Sequence, residues 1–299
     1  MSNRKRMLLL YNPKSGTQRF SPHLSAVVEK FSEAGFIVTV CPTQGPGDVG
    51  RIIAGYGSDY DYLVVSGGDG TISEGIDGLM PLAKRPVLGL IPSGTVNDFA
   101  VSLGIPRDIL RAADIIVSGV PRPVDVGRFN EKHFSYVAAF GLFTDVSYST
   151  PQNTKNLFGK LAYFIEGVKR LGSVESYSCE FILDGEAVYG DFMLGFIGNA
   201  HLIAGYRLPE EMYAQMDDGL FDVMLVRTPN TLKEKQDIIS TVLTQEINTD
   251  LIISRKAREV IFSATAPIAW TLDGDFGGEF YSAKVVNMHQ AMDIVTPTN

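Results

Sequence analysis

Cysteine is scarce in this sequence: two residues among 299, Cys41 and Cys179. They lie far apart, with no metal-ligand spacing and no disulfide framework, which predicts indifferent thiols in a reducing, cytoplasmic setting. Positive charge is not in excess either. Lys and Arg number 26 against 34 Asp and Glu, a net charge of −8. Nucleic-acid binders carry basic surfaces, so nucleic acid is not an expected partner. Long apolar runs are also missing, and none reaches membrane-spanning length. Positive residues before Met7 to Tyr11 hint at a signal peptide, but that run stops at Asn12-Pro13-Lys14, too short for one. There is no internal repeat and no low-complexity segment. The chain therefore reads as soluble, touching a membrane at most peripherally, from its inner face.

What is present is a hydrophobic content of 45%, enough for a sizeable core, in a chain long enough for one large or two medium domains. Buried-strand patterns fall at Met7–Tyr11, Phe36–Cys41, Tyr62–Ser66 and Val87–Ile91. Helical periodicity falls at Ser21–Ala34, Asp48–Ala54, Ile72–Leu82, Val96–Leu103 and Arg107–Val117. Strands alternating with helices predict an α/β domain, a parallel sheet with helices on both faces, over residues 1–123. After Val120-Pro121-Arg122-Pro123 the period changes to 2. Runs at Phe134–Phe140, Tyr177–Leu183, Ala187–Phe196, Phe221–Val226, Val260–Ser263 and Ile268–Leu272 predict an all-β sandwich over 124–287. Helical segments interrupt it near Asn156–Leu171 and Thr231–Gln245, and the last residues, 288–299, are expected to return to the first domain.

Two strand ends carry the chemistry. Leu63 to Val65 runs into Ser66-Gly67-Gly68-Asp69-Gly70-Thr71-Ile72, and Val87 to Ile91 runs into Pro92-Ser93-Gly94-Thr95-Val96-Asn97-Asp98-Phe99. Glycines after a buried strand let backbone N–H groups approach a phosphate, and a helix starting behind them adds its positive end. Asp69 would repel phosphate unless Mg²⁺ sits between them. Asn12-Pro13-Lys14-Ser15-Gly16 follows the first strand in the same way and would line the nucleotide's other side, with Lys14 near a phosphate. Asn97 and Asp98, at a helix start, have capping as their plain alternative role. The pattern predicts nucleotide-dependent phosphoryl transfer.

Gly-Gly-Asp-Gly-Thr followed by Pro-Ser-Gly-Thr-Val-Asn-Asp-Phe-Ala resembles the catalytic domain of the diacylglycerol kinase family. The likeness extends through Leu272-Asp273-Gly274-Asp275 and is closest to the soluble bacterial lipid kinases, relatives of sphingosine kinase and ceramide kinase. It implies an N-terminal domain like that of NAD kinase, a C-terminal β-sandwich, and a nucleotide site in the cleft between them. It implies ATP contacts from Asn12, Pro13, Lys14, Ser15, Gly16, Thr43, Ser66, Gly67, Gly68, Asp69, Gly70, Thr71, Ile72 and Thr95. It further implies carboxylates at Asp69, Asp98 and Asp125 around Mg²⁺ and its waters. Around Thr43 the chain departs from the family, with Gly45-Pro46-Gly47-Asp48-Val49 where a shorter, less glycine-rich segment is common.

The same resemblance implies a catalytic base at Asp275, where the family has Glu, with Asp273 or Glu279 as assistants. Leu183-Asp184-Gly185-Glu186 matches the family string more closely, but it lies too early in the second domain. Gln215 and Leu220, through their carbonyls, and Asp218, through its side chain, match a structural Mg²⁺ site. The expected substrate is a lipid such as diacylglycerol at a membrane surface, and the oligomeric state is open, a homodimer included. Leu157, Phe158, Leu161, Phe164, Ile165 and Val168, flanked by Lys155, Lys160, Lys169 and Arg170, form a basic amphipathic stripe suited to an anionic interface or to the core. The rival readings are an NAD kinase-like enzyme and a catalytically silent nucleotide- or lipid-binding module.

Overall fold

The computed structural model describes residues 4–17, 19–141, 175–199, 202–203, 206–207, 215–244, 246–247 and 249–298. The amphipathic stripe at 156–171 lies outside them. The chain divides into two compact units, Met1–Val126 with Gln290–Asn299, and Gly127–His289.

In the first unit, β1 (Arg6–Tyr11), β2 (Ile37–Pro42), β3 (Tyr62–Gly67) and β4 (Val87–Pro92) form a parallel sheet in the order β2-β1-β3-β4. Apolar side chains on both faces of the central strands suit this burial: Leu8, Leu9, Leu10, Leu63, Val64 and Val65 are all at most 1% exposed. The connecting helices are α1 (Leu24–Glu33), α2 (Asp48–Tyr56), α3 (Asp69–Leu79), the short α4 (Asp98–Ser102) and α5 (Ile109–Ser118). Helix α1 packs with α5, and α2 packs with α3. Right-handed crossovers on either side of β1 place these pairs on opposite faces of the sheet. The order reverses between β1 and β3, and ligands bind outside the carboxyl ends of strands at such a switch point.

Helix α3 begins three residues before the expected Ile72. Gly68 supplies the extended N-cap (φ −88°, ψ −178°), so Asp69 opens the helix instead of standing in a loop. The helix also stops short of Leu82. Met80 is the C-cap, still with helical φ and ψ, and Pro81 after it has no N–H to continue the ladder.

Strand β5 (Val120–Phe129) leads out of the first unit despite Pro121 and Pro123, whose exposed positions at its start tolerate the missing N–H. The second unit is strand-rich: β6 (Lys132–Phe134), β7 (Val137–Gly141), β8 (Tyr177–Leu183), β9 (Glu186–Gly198), the short pair β10 (Leu202–Ile203) and β11 (Tyr206–Arg207), β12 (Phe221–Arg227), β13 (Ile252–Ala257), β14 (Glu259–Leu272) and the first part of β15 (Asp275–Thr296), whose residues from Gln290 on belong to the first unit. It also contains α6 (Leu232–Thr244), the helical segment expected at Thr231–Gln245, so helix as well as strand builds this unit. Strands β7 and β8 each pair with both β9 and β14, at different stretches of those long strands. The inner side chains of β6, β7, β8, β9, β12 and β14 build an aromatic core in which Phe134, Phe140, Phe181, Phe192, Phe221, Phe262 and Trp270 are at most 1% exposed. Burying each such side chain stabilises the unit by about 1.5–3 kcal/mol relative to exposure. Trp270 and Phe140 meet with centroids 4.9 Å apart, a tilted geometry that aromatic pairs favour.

Two expected strand boundaries differ. The run Phe134–Phe140 is not one strand, because Ser135 and Tyr136 turn their N–H groups to Asp273 and leave the ladder. The runs Val260–Ser263 and Ile268–Leu272 are one strand, β14, whose pairing with β15 shifts register between Ser263 and Ile268. Among the described residues no helix is long and apolar enough to cross a membrane.

Candidate active site

Three loops at the carboxyl edge of the first unit's sheet interlock. Asn12 N–H donates to the Ser66 carbonyl at 2.9 Å, and Asn12 Nδ2 donates to Thr71 Oγ1 at 3.3 Å. Asn12 Oδ1 accepts the Lys14 N–H at 2.9 Å, a local turn typical of Asn. The N–H groups of Ser93 and Gly94 both donate to the Gly67 carbonyl, at 2.8 and 3.2 Å. Buried Ser66 and Ser93 meet through their hydroxyls at 3.3 Å. The loops after β1, β3 and β4 are therefore one assembly.

Glycine is required where they touch. A Cβ on Gly94 would lie 2.4 Å from Gly68 Cα, and one on Gly16 would lie 2.0 Å from the Ser93 carbonyl oxygen. Both neighbours are backbone and cannot yield. Gly16 also has φ +50°, the left-handed region that favours glycine.

Asp69 stands in the first turn of α3 and accepts the Asn97 N–H on Oδ2 at 2.7 Å. Asp98, 1% exposed, opens α4 beside it. The structure thus brings the Asp69 and Asp98 segments together, with Lys14 and Thr95 exposed near their loops' tips. Asn97 does not cap α4 through its side chain, the plain role its position suggested. It is fully buried in the left-handed conformation (φ 58°, ψ 44°), and its amide bonds to Gly94 instead. Asp125, on β5, is fully buried and accepts the Gln290 N–H on Oδ1 at 2.7 Å. Thr43 follows β2 and is buried, its N–H donating to the Tyr11 carbonyl at 2.9 Å. The divergent segment behind it is ordered by Asp48. The hydrogen bond from Arg51, then the Gln44 N–H, holds that carboxyl below its ordinary range.

These residues fit a magnesium ion shared with phosphates. The side chains are oxygen donors, which hard cations take. Among the described residues no group of three or more His, Cys, Asp or Glu side chains forms a cage. Mg²⁺ is usually bound by one or two carboxylates together with water and substrate phosphates.

In the second unit, Asp275 is exposed at the first position of β15, directly after the Asp273-Gly274 turn. Asp273 is 4% exposed and thoroughly hydrogen-bonded. Its Oδ2 accepts the Ser135 N–H and Oγ at 2.7 and 2.8 Å, and its Oδ1 accepts the N–H groups of Tyr136 and Val137 at 2.9 and 3.1 Å. Glu279 is exposed further along β15.

The Asp217–Leu220 turn is supplied with partners from within the protein. Asp218 Oδ1 accepts the Leu220 N–H at 3.0 Å, and Oδ2 lies 3.3 Å from Lys256 Nζ. The Asn199 amide, turned with its nitrogen toward Leu220, meets that carbonyl at 3.0 Å. A metal held by Asp218, Gln215 and Leu220 would have to share Asp218 with the Lys256 ammonium. Lys256 also lies 3.7 Å from Asp222, whose carboxyl burial pushes up to about 6.

The sheet order and the interlocked loops define an α/β protein of the kind that binds ligands beyond the carboxyl ends of parallel strands. Comparison with known proteins sharpens this. The diacylglycerol kinase catalytic domain model matches residues 6–129. A diacylglycerol kinase of Bacillus subtilis is 35% identical over 98% of this chain and 97% of its own. One of Staphylococcus carnosus is 34% identical over 98% and 96%. A solved Bacillus anthracis structure bearing the diacylglycerol kinase name has 26% identity and a TM-score of 0.85, covering 99% of this chain and 96% of that one. The chain belongs to the diacylglycerol kinase family. It is a lipid kinase by that membership.

Proposed function

We propose that this protein transfers the γ-phosphate of ATP to the hydroxyl of a lipid such as diacylglycerol. The observation that carries the reading is the interlocking of three glycine-bearing loops at the sheet's switch point, with Asp69 in the first turn of α3. The N–H groups of that turn point outward from a positive helix end, as a phosphate requires. Asn12 to Gly16 flank it, and Thr43 and Thr95 complete the nucleotide contacts.

Asp69, Asp98 and Asp125 would hold Mg²⁺, directly or through water, and the ion would neutralise phosphate charge. Phosphoryl transfer depends mainly on positioning and electrostatic stabilisation. Asp275 takes the proton of the acceptor hydroxyl as its oxygen bonds to the γ-phosphorus and the bond to the ADP oxygen breaks. The fourfold hydrogen bonding of Asp273 suits a residue that fixes the turn before Asp275 better than one that exchanges protons. Asp218 with the carbonyls of Gln215 and Leu220 is a structural cation site in this reading only if Lys256 gives way. The lipid is met at a membrane surface, with the protein docking from the cytoplasmic side.

The test is incubation of the purified protein with γ-labelled ATP, Mg²⁺ and mixed micelles of dioleoylglycerol, with NAD in a parallel sample. Labelled phosphatidic acid is the expected product. Label in NADP would establish the NAD kinase-like alternative, and no labelled product in either sample would favour a silent binding module.

A further inference from the structure

Asn97 makes contacts that neither capping nor ligand binding requires. Its Oδ1 accepts the Gly94 N–H at 3.0 Å, and its Nδ2 donates to the Gly94 carbonyl at 2.9 Å. The side-chain amide thus pairs with both polar backbone groups of one residue, three positions back. Gly94 is the residue whose Cα side abuts Gly68. Meanwhile the Asn97 backbone N–H, aimed by its left-handed conformation, donates to Asp69 Oδ2 at 2.7 Å.

Each feature depends on the residue type. Asn enters the left-handed region more readily than other non-glycine residues. Of residues that tolerate it, Gly has no amide, and Asp has no donor for the Gly94 carbonyl. Burial at 0% exposure shields these bonds from water; the Gly94 N–H also reaches the Gly67 carbonyl at 3.2 Å, so the Gly94 carbonyl is the group that depends most on the Asn97 amide.

We propose that Asn97 is the positioning residue of the nucleotide site: its amide closes the Gly94–Asn97 turn, and that turn presents the N–H that orients the Asp69 carboxylate. The inference rests on the nucleotide reading of the loops given above. Asn97 itself touches neither phosphate nor acceptor in this scheme. It acts through Asp69 and through the seating of Gly94 on Gly68.

Two variants separate the parts. Asn97→Gly keeps the left-handed backbone and its N–H but loses the amide clamp. Asn97→Ala loses the clamp and disfavours the backbone conformation as well. Mg·ATP binding is measured by isothermal titration calorimetry, and KM is measured separately for Mg·ATP and for dioleoylglycerol in micelles. Asn97→Gly is expected to weaken Mg·ATP binding about tenfold, the scale of one or two lost buried hydrogen bonds, with KM for the lipid unchanged. Asn97→Ala is expected to weaken it by about a further fivefold, from the disfavoured conformation. A merely structural Asn97 would lower the melting temperature and leave the Mg·ATP affinity of the folded fraction intact. Wild-type affinity in both variants overturns the role of Asn97 alone. No Mg·ATP binding by the wild-type protein overturns the nucleotide reading, and this inference with it.

Discussion

The dipeptide Asp-Gly is used in opposite ways by the two units. In the first, Asp69-Gly70 opens helix α3. In the second, Asp184-Gly185 and Asp273-Gly274 turn hairpins, with φ of +47° and +94° in one and +51° and +88° in the other. Positive φ at both central residues is the turn that matches strand twist. The residues after the dipeptide decide the outcome. Thr71-Ile72-Ser73-Glu74 continues into a helical apolar stripe, while Glu186 and Asp275 begin long strands.

The carboxylates diverge with the backbone. Asp184 takes the N–H groups of Arg258 and Glu259, and Asp273 takes the Ser135 N–H and Oγ and the N–H groups of Tyr136 and Val137. Each fastens its turn to the chain elsewhere in the unit. Asp69 instead stands at a helix start among glycines, where the proposed cation and phosphates would meet it. A carboxylate so fully engaged by donors holds its turn in place, whatever string it belongs to. The same contrast explains why Leu183-Asp184-Gly185-Glu186 resembles the later segment so closely: the two strings build the same turn.

Substitutions can break this distinction. The largest effect belongs to Asp69→Asn, which should lower kcat/KM for lipid phosphorylation by about 10³-fold, the scale of losing one preorganised electrostatic group. Its melting temperature should stay near that of the wild type by calorimetry. Asp275→Asn should lower kcat by about 10²–10⁴-fold, the range for a general base, again with little loss of stability. Asp273→Asn should act in the other sense. Its amide nitrogen would face backbone donors and strand at least one buried N–H, destabilising the protein by about 2–3 kcal/mol in urea unfolding. Asp184→Asn removes the equivalent anchor at an exposed turn, so about 1 kcal/mol is expected. If Asp184→Asn proved as destabilising as Asp273→Asn, burial would not be what separates the two turns.

Asp222 sharpens the contrast from the other side. It is 4% exposed, and burial raises its folded-state pKa from 3.8 to about 6, against the partial relief of Lys256. Its contribution to stability is therefore fully present below pH 3.8 and is lost as pH rises through about 6. Asp222→Asn should flatten that part of the melting temperature's pH profile. An unchanged slope would mean that the charge is well matched.

The parallel sheet was legible in the sequence because its strands are apolar on both faces, as Leu8 to Leu10 and Leu63 to Val65 show. The tight loops after β1, β3 and β4 were legible because glycine directly after such a strand marks a close backbone approach. The start of α3 was not, since a glycine N-cap gives no capping signal. Nor was the break at Ser135-Tyr136, whose cause is a carboxylate 138 residues away from Ser135. The part played by Asn97 was hidden for a similar reason. An Asn before a helix reads as a cap, and only the left-handed backbone shows its amide turned back on Gly94.

The decisive measurement is a crystal structure with Mg²⁺ and a non-hydrolysable ATP analogue. The phosphates are expected within hydrogen-bonding distance of the Gly68 to Thr71 backbone, with Asp69 on the metal or on its waters. Phosphates bound away from the start of α3, with Asp69 contacting neither metal nor its water shell, would contradict the assignment of these loops to phosphoryl transfer.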